Sequence, residues 1–342
     1  MGKNPKVVIV ILNWYRLQEI LECLESVHQM NYDNYSVLVV DNGSEEGFCE
    51  TIKEKYPAVD LIENTHNMGF ATGNNVGMRW AIEKGADYIW LLNNDTTVSP
   101  DCLKVMIDEA EGDSKIGLVS PIIYYFENPS KWQFAGSYID WKPFSLRFPD
   151  KGKEVGEEYQ EGRSVCLWGT ALLIKKKVIQ QIGYLKEEYF AYWEDTEYSL
   201  RSMRAGFRNV VCKSGKVFHK KQLEESNGAK KGKHFYYFMQ RNRRFLGNEY
   251  IEKSIDRLRF KIRYFAELSD YLRRCEEEYF DACMDGGWHG VKGITGPMDE
   301  RVKMPNYLKK SLLLMSKCRP VFFADLITLN LREILRRASM RK

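Results

Sequence analysis

The sequence predicts an α/β protein whose N-terminal part is a parallel sheet covered by helices on both sides. Three observations carry this. Short apolar runs rich in branched residues alternate with segments of helical period over the first hundred positions. Each run stops on polar residues. The composition, 44% hydrophobic and 29% charged over 342 residues, is that of a globular chain long enough for one main domain and an appended unit. No stretch approaches the roughly 18 uninterrupted apolar residues that argue for a membrane span.

The first run, "VVIVIL" (7–12), is read as a strand rather than a signal peptide, because Asn13 interrupts it and no small-residue cleavage site follows. "LQEILECLESVHQM" then sets Leu17, Ile20, Leu24 and Val27 at helical spacing. "SVLVV" (36–40), a helix near 48–56, "DLIE" (60–63), a helix from about 70 to 84 and "DYIWLL" (87–92) repeat the theme. "DCLKVMIDEA" is a helix started by Pro100 and Asp101, with Ser99 as its cap. Further on, "VCLWGTALLI" (165–174) reads as a strand and "KKKVIQQIG" as a helix. "YFAYWEDTEYSLRSMRAGF" is an aromatic loop feeding a helix from about Asp195 to Ala205, and "VFHKK" places His219 after a short strand. Beyond Lys233, "HFYYFMQRNRRFLGNEY" and the run from Ile251 to Met284 are helical, "GGWHGVKGITGP" (286–297) breaks them with glycine, and 305–338 returns to basic amphipathic helix. The expected organisation is a main domain over 1–233 and a helical C-terminal extension over 234–342.

The eight cysteines form no CxxC pair and no zinc-ligand spacing, so they read as reduced, mostly structural thiols of a cytoplasmic protein. The net charge of +4 is unevenly placed, with basic residues crowding "KKQLEESNGAKKGKH" and the last forty positions. No helix-turn-helix, zinc or RNA-binding signature accompanies them, so nucleic acid is not an expected partner. The cytoplasmic face of an anionic membrane fits the basic tail better, with a helical cap or homodimer contact as the alternative.

In sheets of this kind ligands sit beyond the carboxyl ends of the strands. The four early strands are followed by Asn13, "DNGS" (41–44), "NTHNMGFATGNN" (64–75) and "NNDT" (93–96). Four unrelated turns explain each segment separately, since Asn and Asp suit turns, but not the recurrence of amides and carboxylates at one end. Asp95 is not needed as a helix cap. A carboxylate with amide neighbours at a strand end suits Mg²⁺ or Mn²⁺, which takes few protein oxygens and completes its shell with phosphate oxygens and water. A diphosphate-bearing substrate is thereby implied. "NMGFATGNNVG" opens a helix with glycines at 69, 73 and 77. It reads as an anion site at the helix N-terminus, although Gly73 and Gly77 serve close packing equally well, and its spacing matches neither the dinucleotide fingerprint nor the nucleotide-triphosphate loop. In "WEDTEYSLR", Asp195 is either an N-cap or a base whose proton affinity is raised by the aromatic residues before it.

Taken in order, Asn13-Trp14, "VVDNGS", "NMGFATGNNVG", "LLNNDT", "LWGTALLI", "YFAYWEDTEYSLRSMRAGF" and "FH" resemble the inverting family 2 glycosyltransferases, most closely their bacterial rhamnosyltransferase-like branch. The resemblance covers about residues 6 to 220, with a further glycine-tryptophan similarity near 286–296. It implies a GT-A nucleotide-diphospho-sugar transferase fold, a Rossmann-like mixed sheet flanked by helices, with the C-terminal helical extension appended. It implies a nucleotide-diphosphate sugar as donor, dTDP-rhamnose first and a UDP-hexose such as galactofuranose or N-acetylglucosamine next. The acceptor would be a saccharide or lipid-linked saccharide of cell-surface polysaccharide synthesis. Asp41 would bond the donor's pyrimidine, with Asn13 lining the same pocket. Asn67, Gly69 and Asn74 would approach the ribose and diphosphate, alongside Asn93 and Asn94. Asp95 matches the last acid of the family's Asp-x-Asp metal motif, and His219 a histidine that assists at the metal or diphosphate. Asp195 matches the catalytic base, while Trp168, Gly169, Thr170 and Glu194 would lie on the acceptor side. One departure stands out: the first acid of the metal motif is Asn93 here, which removes an anionic ligand and weakens the expected hold on Mg²⁺ or Mn²⁺. A chain that binds the nucleotide sugar without turning it over is the rival expectation.

Overall fold

The structure, a computed structural model, describes residues 4–141, 144–148, 150–153, 165–220 and 232–317. The chain forms two compact units, Met1–Ile139 with Leu146–Ala229, and Asp140–Ser145 with Lys230–Lys342.

In the first unit the elements run β1 (Val7–Asn13), α1 (Leu17–His28), β2 (Tyr35–Asp41), α2 (Phe48–Lys55), β3 (Asp60–Glu63), α3 (Gly69–Glu83), β4 (Tyr88–Asn93), β5 (Thr96–Val98), α4 (Cys102–Gly112), β6 (Ile116–Tyr125) and β7 (Trp132–Phe134). A small hairpin of β8 (Tyr138–Asp140) and β9 (Ser145–Arg147) follows, then β10 (Ala171–Lys175), α5 (Lys176–Ile182), α6 (Glu194–Arg204) and β11 (Arg208–His219). The main sheet has the order β3-β2-β1-β4-β10-β6-β11-β5, with β7 beside β6. The four early strands are parallel to one another, as the alternation predicts. The sheet as a whole is mixed: β10 runs antiparallel to both β4 and β6, and β5 antiparallel to β11.

Burial on both faces explains why the early strands are continuous apolar runs rather than alternating ones. Ile9, Ile11, Val37, Val39, Trp90 and Leu92 pack under α1, α2 and α4. Their neighbours Val8, Val10, Leu38, Val40, Ile89 and Leu91 pack under α3 and α5. In α1 the inward stripe is Ile20, Cys23, Leu24 and Val27, whereas Leu17, expected in that stripe, is 40% exposed in the first turn. Seven described cysteines are free thiols, all buried except the half-buried Cys275.

Two boundaries differ from expectation for physical reasons. The strand foreseen over 165–174 is confined to Ala171–Lys175, because the backbone N–H groups of Leu167 and Gly169 go to the Ser199 hydroxyl and the Asp195 carboxylate of α6 instead of to a ladder. Nor does His219 end a short strand, for β11 is twelve residues long with a register shift between Cys212 and Lys216. At α4, Cys102 N–H bonds to the Ser99 backbone carbonyl, and the cap residue is Asp101, with no side-chain cap bond.

The second unit contains α7 (Lys233–Tyr250), α8 (Ser254–Arg274), α9 (Phe280–Lys292) and α10 (Asn306–Ser316). The predicted helix from 251 to 284 is broken between α8 and α9, where Glu277–Tyr279 forms a 3₁₀ turn. The glycines of "GGWHG", expected to break helix, lie inside α9. Gly286 and Gly290 are one turn apart on one face. A Cβ on them would fall 2.2 Å from the Tyr237 carbonyl oxygen and 2.8 Å from that of Arg241, so their bareness lets α9 lie directly on the α7 backbone. Gly293, at φ +72°, ends the helix in the left-handed cap that glycine favours. His289 is fully buried between the Tyr237 hydroxyl (2.5 Å) and the Val302 carbonyl (2.7 Å). Helix expected over 305–338 is seen for α10; residues 318–338, and most of the basic segment at 220–234, lie outside the described residues. Among the described residues no helix is long and apolar enough to cross a membrane.

Candidate active site

All the candidate residues fall in the first unit, and most meet at the carboxyl edge of its parallel strands. Asn13, the last residue of β1, pairs in register with Asp41 at the end of β2, while Leu12 beside it pairs with Asn93 at the end of β4. Side chains tie the three ends together. Asn94 Nδ2 donates to Asn13 Oδ1 at 2.6 Å, Asn13 Nδ2 donates to the Ser44 hydroxyl at 3.3 Å, and Ser44 N–H donates to Asp41 Oδ2 at 3.0 Å. The other oxygen, Asp41 Oδ1, is buried with no hydrogen-bond partner among the described residues. A buried acceptor without a donor costs about 1–3 kcal/mol. Such an atom is a natural place for an incoming N–H.

Asn42, quoted within "DNGS" but given no separate role there, is the fastener of the next loop. It is 2% exposed; its Nδ2 donates to Asn67 Oδ1 (3.0 Å) and its Oδ1 accepts from Met68 N–H (3.1 Å). The start of α3 departs from the open anion site that its glycines suggested. Gly69 N–H already bonds to Asn67 Oδ1 at 2.8 Å, and Ala71 N–H to the Phe190 carbonyl at 3.1 Å. Gly69 is required by its φ of +84° and by the Phe190 carbonyl, 2.6 Å from where a Cβ would stand. Gly73 and Gly77 are packing glycines, pressed on Leu12 and Val10 of β1. Asn74 is buried, its amide donating to the Phe70 carbonyl within the helix at 2.9 Å.

At the β4 end, Asp95 Oδ1 lies 3.2 Å from His219 Nε2, and the opposite ring nitrogen of His219 meets Gln133 Oε1 at 2.6 Å. Gln133 is 3% exposed and was not foreseen; 86 positions separate it from its partner, and no motif marks it. Burial alone would raise the Asp95 pKa, but the neighbouring His219 imidazole outweighs it and holds the carboxyl below its ordinary range. The ionised Asp95 carboxylate is a donor that suits Mg²⁺ or Mn²⁺ with the other positions left to phosphate oxygens and water, and an imidazole nitrogen beside it suits Mn²⁺ better than Mg²⁺. Asn93 contributes no charge, and among the described residues no group of three or more His, Cys, Asp or Glu forms a metal-binding cluster.

The third component is the segment leading into α6. Phe190, Tyr192 and Trp193 all have positive φ, at 62°, 68° and 73°. Three non-glycine residues in this region within four positions store backbone strain, which persists only where the surroundings over-determine it. Asp195 follows in the first turn of α6, and Trp193, not Asp195, is the cap residue. Asp195 Oδ2 accepts from Gly169 N–H at 3.0 Å and Oδ1 from Thr196 N–H at 2.6 Å. Burial pushes its pKa up against the hydrogen bonds from Gly169 and Thr196. Glu194 is fully enclosed, and burial, then the charge of Asp195, raises it well above the ordinary range. Gly169 admits the ring of Phe70, 2.9 Å from where its Cβ would be, and Trp168 stacks on Phe134 with centroids 4.2 Å apart. Thr170 links this segment to the strand edge, its carbonyl accepting from Asn93 N–H at 2.9 Å.

With this geometry in view, the chain belongs to glycosyl transferase family 2, whose model matches residues 6–183, more than half of its length. It is 27% identical over 204 residues to the N-acetylglucosaminyl-diphospho-decaprenol L-rhamnosyltransferase of Mycobacterium tuberculosis, covering 54% of this chain and 66%, just under two thirds, of that one. It is 24% identical over 222 residues to the dTDP-rhamnosyl transferase RfbF of Shigella flexneri, covering 64% and 70% respectively. Among solved structures it is similar to GalNAc-T7 with UDP, GalNAc and Mn²⁺, with a TM-score of 0.53 at 14% identity over 76% of this chain and 54% of that one. The fold is that of the GT-A glycosyltransferases.

Proposed function

We propose that the protein is an inverting glycosyltransferase that moves a sugar, rhamnose from dTDP-rhamnose as first candidate, to a saccharide or lipid-linked saccharide acceptor of cell-surface polysaccharide synthesis. The observation that carries this is the row of Asn13, Asp41 and Asn93 across adjacent strand ends, with Asp41 Oδ1 buried and unsatisfied beside it. A pyrimidine presents an imide N–H of the kind such an acceptor needs, and thymine and uracil present the same one. UDP-galactofuranose or another UDP-hexose is therefore the alternative donor. The rhamnosyltransferase relatives favour dTDP-rhamnose.

Asp95 and His219 would hold a divalent cation, with Asn93 and Asn94 nearby. When bound, that ion supplies positive charge where the nucleoside diphosphate departs. The chain's own chemistry lies at Asp195. Its carboxylate takes the proton of the acceptor hydroxyl as that oxygen forms its bond to the anomeric carbon, and the bond to the diphosphate breaks on the opposite side. The Gly169 and Thr196 N–H groups aim the carboxylate, and the environment that raises its pKa strengthens it as a base. Trp168, Gly169, Thr170 and Glu194 form the acceptor side. Asn93 motivates the second reading, a binding protein without turnover.

Calorimetric titration of dTDP, UDP and GDP, each with and without Mn²⁺, tests the proposal. Binding of dTDP or UDP that Mn²⁺ strengthens is expected; binding of none of the three overturns it. Release of nucleoside diphosphate from the matching sugar donor separates the enzyme from the binding protein.

A further inference from the structure

We propose that the outward face of α10 docks on an anionic lipid bilayer. The observation is a surface of mixed character on a single helix. Tyr307, Leu314 and Met315 are 69%, 67% and 41% exposed, and separations of seven and eight residues put them on one side of the helix. Leu312 and Ser316 on the opposite side are buried, with Leu308 and Leu313 packed against the cluster around Leu268 and Met284. Helix α10 therefore already has its core partner on the inner side, while the three outer residues keep much of their surface exposed. Lys310 and Lys317 are exposed beside them, and α10 has no acidic residue. Lys309 is excluded from this face, being tied to Asp281 at 2.6 Å and Asp285 at 3.2 Å.

The charge identifies the occupant. Residues 318–342, which follow directly, hold six of the chain's 51 basic residues and two of its 47 acidic ones, so the whole formal net charge of +4 resides there. A second copy of this chain would set lysine against lysine, and three side chains are far short of the roughly 1,000 Å² that a stable protein interface covers. An anionic bilayer complements both features: aromatic and aliphatic groups enter the headgroup boundary while lysines stay at the phosphates. One short helix binds a membrane only marginally, and an adjoining basic segment supplies the second signal that stable attachment needs.

The test is co-sedimentation of the full chain with extruded vesicles of phosphatidylcholine alone and of phosphatidylcholine with phosphatidylglycerol, at low and high salt. Wild type is expected to sediment with the phosphatidylglycerol vesicles and to be released by salt. Each lysine charge near such a surface is worth about fivefold in partition. Lys310→Glu with Lys317→Glu therefore lowers binding on the order of 25-fold or more, and Leu314→Asp lowers it separately. These side chains are solvent-exposed, so melting curves and nucleotide titrations of the variants should match wild type. The proposal is overturned by equal sedimentation with both vesicle types, or by variants that bind as wild type does. It is overturned equally by a concentration-dependent dimer, seen by light scattering, that Leu314→Asp abolishes, for the face would then belong to a second copy.

Discussion

Replacing Asp195 by Asn separates chemistry from binding, because the change is nearly isosteric and its structural cost can be worked out. Both carboxylate oxygens are acceptors for backbone N–H groups, from Gly169 at 3.0 Å and Thr196 at 2.6 Å. An amide has one acceptor oxygen, so its NH₂ must face one of those donors, and a buried N–H loses its partner. That costs about 1–3 kcal/mol of stability, a fraction of the ~5–15 kcal/mol typical of a folded domain. The variant therefore remains folded. A positioned general base contributes ~10²–10⁴ in rate, equivalent to roughly 3–5 kcal/mol of activation free energy. The assay is single-turnover release of nucleoside diphosphate from the sugar donor matching the nucleotide that binds, with the Kd of that nucleotide measured in parallel. Expected is a loss of two to four orders of magnitude in turnover with Kd within about threefold of wild type. Turnover comparable to wild type in a variant with unchanged Kd would refute the assignment of Asp195 as base.

Three further outcomes follow. Asp41→Ala removes the orphan acceptor and leaves the base N–H unpaired, so dTDP or UDP affinity should fall about 10–100-fold; an unchanged calorimetric Kd would remove Asp41 from the base pocket. Gly286→Ala puts a methyl 2.2 Å from the Tyr237 carbonyl oxygen. Since an ordinary contact needs upwards of 3 Å, α7 and α9 must part, at about 1–3 kcal/mol in denaturant unfolding, without effect on nucleotide affinity. Glu194 has a folded-state pKa raised well above 4.5, first by burial and then by Asp195. Its contribution to stability is present below pH 4.5 and is lost as pH rises through the raised value. Glu194→Gln lacks that titration, so its stability relative to wild type should increase with pH above about 4.5; a difference flat across pH in parallel melts would contradict the buried, proton-holding state.

The parts of the fold legible in the sequence are those where one physical signal dominates. Strands β1, β2 and β4 are apolar on both faces, so branched runs ending at Asn13, Asp41 and Asn93 declare them, and their polar ends fall together on one edge of the sheet. The reversal of β10 was not legible, since a strand's direction depends on where its preceding chain returns and not on its own side chains. The glycines of α9 were misread because helix propensity treats glycine as a breaker, whereas contact with α7 makes the missing Cβ the stabilising feature. At the candidate site, order and residue type singled out Asp95, His219 and Asp195, of which the structure brings the first two to 3.2 Å of each other. Gln133 and Asn42, which hold His219 and the 67–69 loop, carry no local pattern, because their partners are set by tertiary geometry. The positive-φ backbone at Phe190, Tyr192 and Trp193 was likewise invisible, as aromatic residues seldom adopt it.

The reversed strand β10 also bears on how this protein can be re-engineered. Because β10 begins where β4 ends, Thr170 arrives at the strand edge from the opposite direction, and under the proposed roles the donor and acceptor sides, His219 apart, are written in separate stretches of chain. Under the proposed roles, positions up to about 98 select the nucleotide, and those from 165 to 205 the group that receives the sugar. Acceptor preference can then be exchanged between relatives by transplanting the second stretch, with the β4–β10 ladder as the seam and the nucleotide pocket left in its native context.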